Sequence, residues 1–576
     1  MHGQSGWNMY VFRNGRTEKN GAELIRDLAN SVRRVNATHG CQSELLDALL
    51  RAGELECAAA DVGSPFCHLL KETTDAVAAA LISADRHISV NLERLAGVLH
   101  DLERVQLPAT LSLSPPEGFA YYALHPLSYA DVIFDLKLPS RNAAVIGIRS
   151  IGTTLGAVVQ AGLKSAGINV ARITVRPTGH PYDRVTDLDE AEKAWIAEQC
   201  ARGAHFFVVD EGPGMSGSSF LSVGDALMNA GIERDKITFL CSRVPDPASL
   251  TSRDGATRWP AFRAICVAPN RRLPEGADQF IAGGIWRARV FGDERNWPAS
   301  WTQMEKLKFL SNDGRRLLKF EGFGRFGKEV HSRAETVGGA GFGPKPIAAD
   351  AGFSIYPLLE GESLLAASLS AEVITRIAKY CAFRKRELPC ETASSKELET
   401  MLSFNFSEEF GREISGQRLE IVHPVIADGR MLPHKWLRTK SGDLLKVDNA
   451  SHGDDHFFPG PTDIAWDLAG AIVEWDMEGV AIEKLLSCYY AESGDDARHR
   501  LPVYALAYSI LRMGYCKMAA EAMRGSAEES RLAAHYLHYR KIATELHERT
   551  SVHKEVLRLV PKNAVAPTEV KTRQLA

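Results

Sequence analysis

Between residues 143 and 242, short apolar runs alternate with amphipathic stretches, and this alternation constrains the fold more than any other feature of the chain. AAVIGI (143–148), NVARITV (169–175), HFFVVD (205–210) and KITFLC (236–241) have the length and apolar content of buried strands. TTLGAVVQAGLKSAG (153–167, closed by Gly167), DLDEAEKAWIAEQCARG (187–203) and SSFLSVGDALMNAG (218–231) lie between them and read as helices. Strand and helix in turn predict an α/β unit, a parallel Rossmann-like sheet with right-handed crossover helices. FRAICVA (262–268) is a further strand candidate, and APNRRLPEGAD (268–278) reads as a linker.

Residues 1–110 read as a helical region. Apolar residues recur three and four apart in LIRDLANSVRRV and in SELLDALLRA, which Gly53 is expected to end. LLKETTDAVAAALI and VNLERLAGVLHDLERV continue the pattern. Residues 106–141, rich in turn formers and aromatics, predict an ordered loop or cap. Beyond the linker, GIWRARVFG (284–292), LKFLS (307–311), RRLLKFEG (315–322) and GFSIYPLLEG (352–361) predict strands, and FGKEVHSRAETV (326–337) a helix. Helices dominate from 365 onward, around a loop-rich stretch at 421–463. The division is 1–110, 111–272, 280–550 and a tail at 551–576, whose end is polar and expected to be disordered.

With 68 basic and 72 acidic residues the net charge is −4, which gives no electrostatic case for nucleic acid or a membrane surface. No run of about 18 apolar residues and no apolar signal core is seen, so a cytoplasmic protein is expected. The ten cysteines form no CxxC pair and read as reduced thiols. Neither a nucleophile elbow nor HExxH supports a hydrolase.

The sharpest local signal is FFVVDEGPGMSGSSF (206–220). A strand ends in Asp210 and Glu211, and a loop with three glycines and several serines leads into a helix. Glycines permit close backbone approach, and the free N–H groups at a helix start favour phosphate. Acids beside such a loop would repel phosphate, so they suit sugar hydroxyls or a nearby Mg²⁺. The alternative is a glycine-rich turn that binds nothing. One strand–helix unit earlier, IGIRSIGTTLGAVV (146–159) offers Arg149, Ser150, Ile151 and Gly152 before a helix. VRPTGHPYDR (175–184) follows the next strand, and Phe119, Tyr121 and Tyr122 either stack on a planar acceptor or pack in a core or interface.

This part resembles the type I phosphoribosyltransferases over roughly residues 115–270. The resemblance implies that Asp210 and Glu211 hold ribose hydroxyls and act as the catalytic pair. Gly214, Met215, Ser216, Gly217, Ser218 and Ser219 would wrap the 5′-phosphate. Arg149, Ser150, Ile151 and Gly152 would hold pyrophosphate, and the 175–184 loop, with Arg176, His180, Tyr182 and Arg184, would close as a hood. It implies phosphoribosyl pyrophosphate, Mg²⁺ and a small nitrogenous acceptor as ligands. The loop departs from the family pattern by one extra residue and by its Gly-Pro-Gly.

In the second half, Lys319 sits on a strand before a helix bearing Glu329 and Glu335, either of which suits it as an ion partner. Asp448 ends a short strand as a metal-binding aspartate would, and PTDIAWDLA places Asp463 and Asp467 at a helix start. SHGDDH (451–456) reads either as an aid to Mg²⁺ binding or as a solvated acidic turn. Residues 280–545 resemble the aminoglycoside phosphotransferase and choline kinase family, an α+β, two-lobed, protein-kinase-like fold. The resemblance implies ATP phosphates on Lys319 and Mg²⁺ on Asp448, with Asp463 and Asp467 organising the lobe. The catalytic loop departs from it: Arg430 falls where the aspartate base belongs and Lys435 where a metal-binding asparagine belongs. Asp428, shifted by two, or His434 is then the candidate base. A fused enzyme and a non-catalytic ligand sensor with two nucleotide pockets both remain open, with room for a homo-oligomer.

Overall fold

The computed structural model describes residues 9–11, 16–138, 140–414, 417–458 and 460–559. The end of the tail, expected to be disordered, lies outside the described residues. Five parallel strands form the sheet predicted from the alternation, in the spatial order Asn169–Val175, Asn142–Ile148, His205–Val209, Ile237–Cys241, Arg263–Cys266. Numbered along the chain, this is 2-1-3-4-5, with the order reversing between the first and third strands. Side chains alternate across a strand. Ala143, Val145, Phe207 and Val209 therefore enter one core, while Ala144, Ile146, Phe206 and Val208 enter another beneath helix Ser218–Asn229.

Four helices, Gly21–Ala37, Gln42–Asp61, Cys67–Asp85 and Leu92–Leu102, cover the first face together with Ile151–Ser165. Gly53 does not end its helix, which runs through it to Asp61. A Cβ at Gly53 would sit 1.9 Å from Thr154 Oγ1, so the missing side chain lets two helices pack closely. Arg172, buried on the edge strand, is fastened to this layer. Its guanidinium meets Glu56 at 2.9 Å and Asp75 at 2.7 Å. The 106–141 segment contains more regular structure than expected: strand Thr110–Leu113, the single helical turn Glu117–Ala120, and helix Leu127–Asp135. The stretch read as a linker is anchored, since Arg271 and Arg272 pair with Asp135, Asp131 and Asp85.

The second half begins with a five-stranded antiparallel sheet in the order Gln279–Phe280, Lys308–Leu310, Arg316–Phe320, Phe353–Pro357, Ala348–Asp350. Helix Arg325–Gly339 packs beside it. Residues 284–292 form the helix Trp286–Phe291 rather than a strand. Gly284 (φ +81°) and Gly292 (φ +59°) bound it, and Arg287 is buried on Glu528 at 2.9 Å. Below this lobe lies a mostly helical one, Ala371–Glu387 through Ala527–Leu559, with its own core.

The antiparallel sheet shares a core with the first half: Phe309, Leu318, Phe320 and Phe353 join the cluster of the N-terminal helices. The glycine-rich turn after Phe320 is pinned there. Phe323 N–H donates to the Phe119 carbonyl at 2.9 Å, and Arg325 N–H to Asp47 Oδ1 at 2.7 Å. No helix among the described residues is long and apolar enough to cross a membrane.

Candidate functional site

Two places gather polar chemistry. The first lies at the carboxyl ends of the parallel strands, where the strand order reverses. Open α/β sheets bind ligands there because adjacent loops diverge and leave a crevice. The loops after Ile148 and Val209 flank this point, and they are the two loops singled out in the sequence. They lie in close contact: a Cβ on Gly152 would stand 2.4 Å from the Val209 carbonyl oxygen and 3.2 Å from Asp210 Oδ1. Ser150 has φ +120°, a strained value for a residue with a side chain.

Asp210 and Glu211 stand at this crevice, and among the described residues no cationic side chain is bonded to either carboxylate. Asp210 Oδ1 is buried and accepts no hydrogen bond. Burial pushes the Asp210 carboxyl up to about 7. Burial, with Glu117 and Asp210 nearby, holds Glu211 well above the usual carboxylate range. Glu211 Oε2 accepts only the Gly118 N–H at 3.0 Å. The Tyr129 hydroxyl fixes the turn by donating to the Asp210 carbonyl at 2.6 Å.

The loop behind these acids has the form of a cradle. Gly214 and Gly217 have φ of +59° and +70°, and helix Ser218–Asn229 starts at once. Met215 is exposed and Ser219 half-buried. Ser216 and Ser218 hydroxyls, at 2.8 and 2.6 Å, donate to the Pro181 carbonyl. Pro181 is the tip of a small hairpin, Thr178–His180 with Asp183–Val185, so the expected hood rests on the cradle. Its arginines do not reach in. Arg176 is paired with Asp61, and Arg184 donates to the Pro177 carbonyl. Arg149 also turns away, toward Thr174, with Asp61 at 3.8 Å and Glu192 at 4.0 Å. The expectation that Arg149 faces a pyrophosphate is corrected here, because Thr174 holds its guanidinium and Asp61 and Glu192 lie on that side.

The second place is a cavity of about 550 Å³ between the antiparallel sheet and the helical lobe. Lys319 and Asp448 face each other across it at 2.6 Å. Lys319 also bonds Glu321 at 2.9 Å and Ser451 Oγ at 3.2 Å. The expected partner on the following helix is thus replaced by Glu321, two residues along; Glu335 instead lies 3.8 Å from His331. Asp448 carries two more bonds, to Lys435 and to His452 Nε2 at 2.9 Å. Its φ is +56°, a left-handed value that aspartate tolerates better than most residues.

Burial alone would raise the Asp448 carboxyl; Lys319, Lys435 and His452 reverse this and hold it well below the usual range. The two amines respond differently. Burial would lower Lys319, but Asp448 and Glu321 raise it. Lys435 is pushed down to about 8 by burial, with Lys308 and Lys446 adding to the effect and Asp448 only partly offsetting it. Among the described residues, Lys319 has two carboxylates, Asp448 and Glu321, whereas Lys435 has Asp448 alone.

The remaining candidates separate. Asp428 is 1% exposed and lies outside the cavity lining. It bonds the buried Lys446 at 3.1 Å and the Tyr380 hydroxyl at 2.6 Å. As a catalytic base it is corrected: it is a fixed counter-ion. His434 lines the cavity and stacks on Trp286 at 6.3 Å between ring centres. Burial and Lys435 hold it well below the ordinary histidine value, which makes it a weak base. Arg430 lines the cavity 3.9 Å from Asp455. Asp463 and Asp467 organise loops, as expected: Asp463 accepts from Val422, His423 and Ala465 N–H groups, and Asp467 from those of Asp428 and Gly429. The SHGDDH stretch divides, with His452 on Asp455 at 2.9 Å and His456 on Glu117 at 3.3 Å.

Tyr121 and Tyr122, expected near the first site, line the second cavity, while Phe119 is core. The turn Glu117–Ala120 is the wall between the sites, with Gly118 on Glu211 and Glu117 on His456. Sequence reasoning missed Trp286, Lys306, Lys308, Arg512 and Tyr515 in this cavity. The alternation in EKLKF, which puts Lys306 and Lys308 on one face of a strand, was the available signal.

No protein-family model matches the chain, and no curated protein matches it. Among solved structures it is similar to a choline kinase from Streptococcus pneumoniae: 14% identity, 42% of this chain and 90% of that one, TM-score 0.31. It is similar to a choline/ethanolamine kinase family protein from Mesorhizobium loti at 13% identity, over 45% and 92%, TM-score 0.30. A macrolide 2′-phosphotransferase from Brachybacterium faecium gives 15% identity, 40% and 88%, TM-score 0.28. The chemistry is therefore read from the two sites themselves.

Proposed function

We propose that the chain binds two phosphorylated small molecules at adjoining sites. The sheet-edge crevice takes phosphoribosyl pyrophosphate and transfers its phosphoribosyl group to a small nitrogenous acceptor. The cavity of the kinase-like second half holds a nucleotide such as ATP. One observation carries the first assignment: two half-buried carboxylates, one with a buried oxygen that accepts no hydrogen bond from the described residues, stand beside a glycine–serine loop at a helix start. Ribose hydroxyls are donors that satisfy such oxygens, and the loop N–H groups suit the 5′-phosphate. The same oxygens fit a hydrated Mg²⁺ carried by the pyrophosphate, which would neutralise the leaving group.

In this reading the chain's own residues position the sugar and hold water away. Asp210 and Glu211 orient the ribose and favour positive charge developing at C1. The hairpin at Pro181 must lift from Ser216 and Ser218 for a 5′-phosphate to enter, and it closes afterwards.

For the cavity, Lys319, Lys435 and Arg430 support phosphate binding. Of the two candidate bases, Asp428 is committed to Lys446 and burial and Lys435 hold His434 well below the ordinary histidine value, so the second half is read as a nucleotide-binding module. The test of the first site is calorimetric. Asp210→Asn with Glu211→Gln should weaken phosphoribosyl pyrophosphate binding by about 1.5–3 kcal/mol. Wild-type protein should release pyrophosphate with at least one base in a panel of nitrogenous acceptors. Unchanged affinity in the double variant sinks the assignment.

A further inference from the structure

We propose that the cavity of the second half binds a polyphosphate-bearing ligand without a divalent cation, Lys435 supplying the positive charge at Asp448. This rests on the reading of the cavity as a nucleotide site, and it departs from the expectation that Asp448 holds Mg²⁺.

The donor set at Asp448 does not fit a metal ion. Its Oδ1 bonds Lys319, and its Oδ2 bonds both Lys435 and His452. Of the neighbouring carboxylates among the described residues, only Glu321 has an oxygen without a hydrogen bond, Oε2, and it lies 3.6 Å from the Lys306 ammonium. Asp455 Oδ2 faces His452 Nδ1, and its Oδ1 accepts the Phe457 N–H at 2.8 Å. Asp428 is held by Lys446 and Tyr380 away from the cavity. A divalent cation needs several hard oxygen donors, and here it would have to displace two ammonium groups to reach one.

The charge balance points to an anion instead. Around this floor Glu321, Asp448 and Asp455 face Lys306, Lys319, Lys435 and Arg430, with His452 between two of the carboxylates. Each ring nitrogen of His452 faces a carboxylate oxygen, Asp455 Oδ2 on one side and Asp448 Oδ2 on the other. A polyphosphate entering the cavity would accept from the lysines and Arg430 and relieve their crowding on Asp448. Trp286, Tyr121 and Tyr122 on the cavity wall give a planar group surfaces to pack on.

The experiment is calorimetric titration of ATP into the full chain, once in EDTA and once with excess Mg²⁺, followed by Lys435→Asn in both buffers. Binding in EDTA at least as tight as with Mg²⁺ is the expected result. In Lys435→Asn the EDTA affinity should fall by about tenfold to a hundredfold, the loss of one charge-assisted bond. Wild-type binding that requires Mg²⁺ overturns the inference while leaving a nucleotide site in place. No binding in either buffer overturns the nucleotide reading itself, and the inference with it. Because the wild-type comparison stands alone, a poorly folded variant does not rescue the proposal.

Discussion

Asp210 and Asp448 each follow a strand closely and are both half-buried, yet their surroundings are opposite. Asp210, with Glu211 beside it, has no cation bonded to it, and burial pushes its carboxyl up to about 7. Asp448 has two ammonium groups and an imidazole on its two oxygens. One site holds two carboxyls that burial pushes toward the protonated form, and the other crowds ammonium groups on one carboxylate; the single turn Glu117–Ala120 separates them. A buried charge without its counterpart costs free energy. Each site thus carries a cost that a ligand of the right chemistry removes: hydroxyl donors or a bound cation at the first, phosphate at the second.

The largest effect that separates the sites should come from Lys319→Met. It strips Glu321 of its bonded ammonium and Asp448 of one of its own, and breaking a buried pair costs about 3–5 kcal/mol. Denaturant unfolding measures it. A loss below about 1 kcal/mol would mean that the pair behaves like an exposed one. Lys435→Met should behave differently, because Lys435 is the amine that Asp448 cannot fully satisfy.

The pH dependence of ligand-free stability sharpens the contrast. Asp210 keeps its proton in the fold up to about pH 7, whereas an unfolded aspartate loses it near 3.9. Between those values the folded state binds more protons. Its contribution therefore falls by about 1.4 kcal/mol per pH unit across the window and levels off above it. Asp210→Asn should remove that slope. Lys435 gives the opposite sign: its folded value is pushed down to about 8, against about 10.4 unfolded. There the unfolded state binds more protons, so stability should rise from about pH 8 to 10, and Lys435→Met should flatten the rise. Thermal unfolding across buffers reads both windows. A slope in Asp210→Asn identical to wild type between pH 4 and 7 contradicts the first half of the comparison.

The sequence made the parallel sheet legible because each strand is a continuous apolar run and each helix has a clear period. It also marked the two loops at the order reversal, since glycines and acids at strand ends are local signals. What it hid depends on tertiary contacts. Gly53 reads as a helix end, yet it is the contact point for Thr154. Residues 284–292 read as a strand, but glycines at positive φ and the buried Arg287–Glu528 pair make them helical. Tyr121 and Tyr122 lie next to Glu117 in sequence, but nothing local shows which site they face. Arg149 and Asp428 have the right residue type and place for ligand chemistry. Thr174, with Asp61 and Glu192 nearby, holds the first, and Lys446 claims the second.

The most direct test of the opposed sites is a crossed calorimetric titration. Phosphoribosyl pyrophosphate with Mg²⁺, and ATP in EDTA, are each titrated into Asp210→Asn/Glu211→Gln and into Lys319→Met/Lys435→Met. The first variant should lose phosphoribosyl pyrophosphate by about tenfold or more and keep ATP; the second should lose ATP and keep phosphoribosyl pyrophosphate. Loss of both ligands in either variant, or retention of both, would contradict two separate sites of different ligand chemistry.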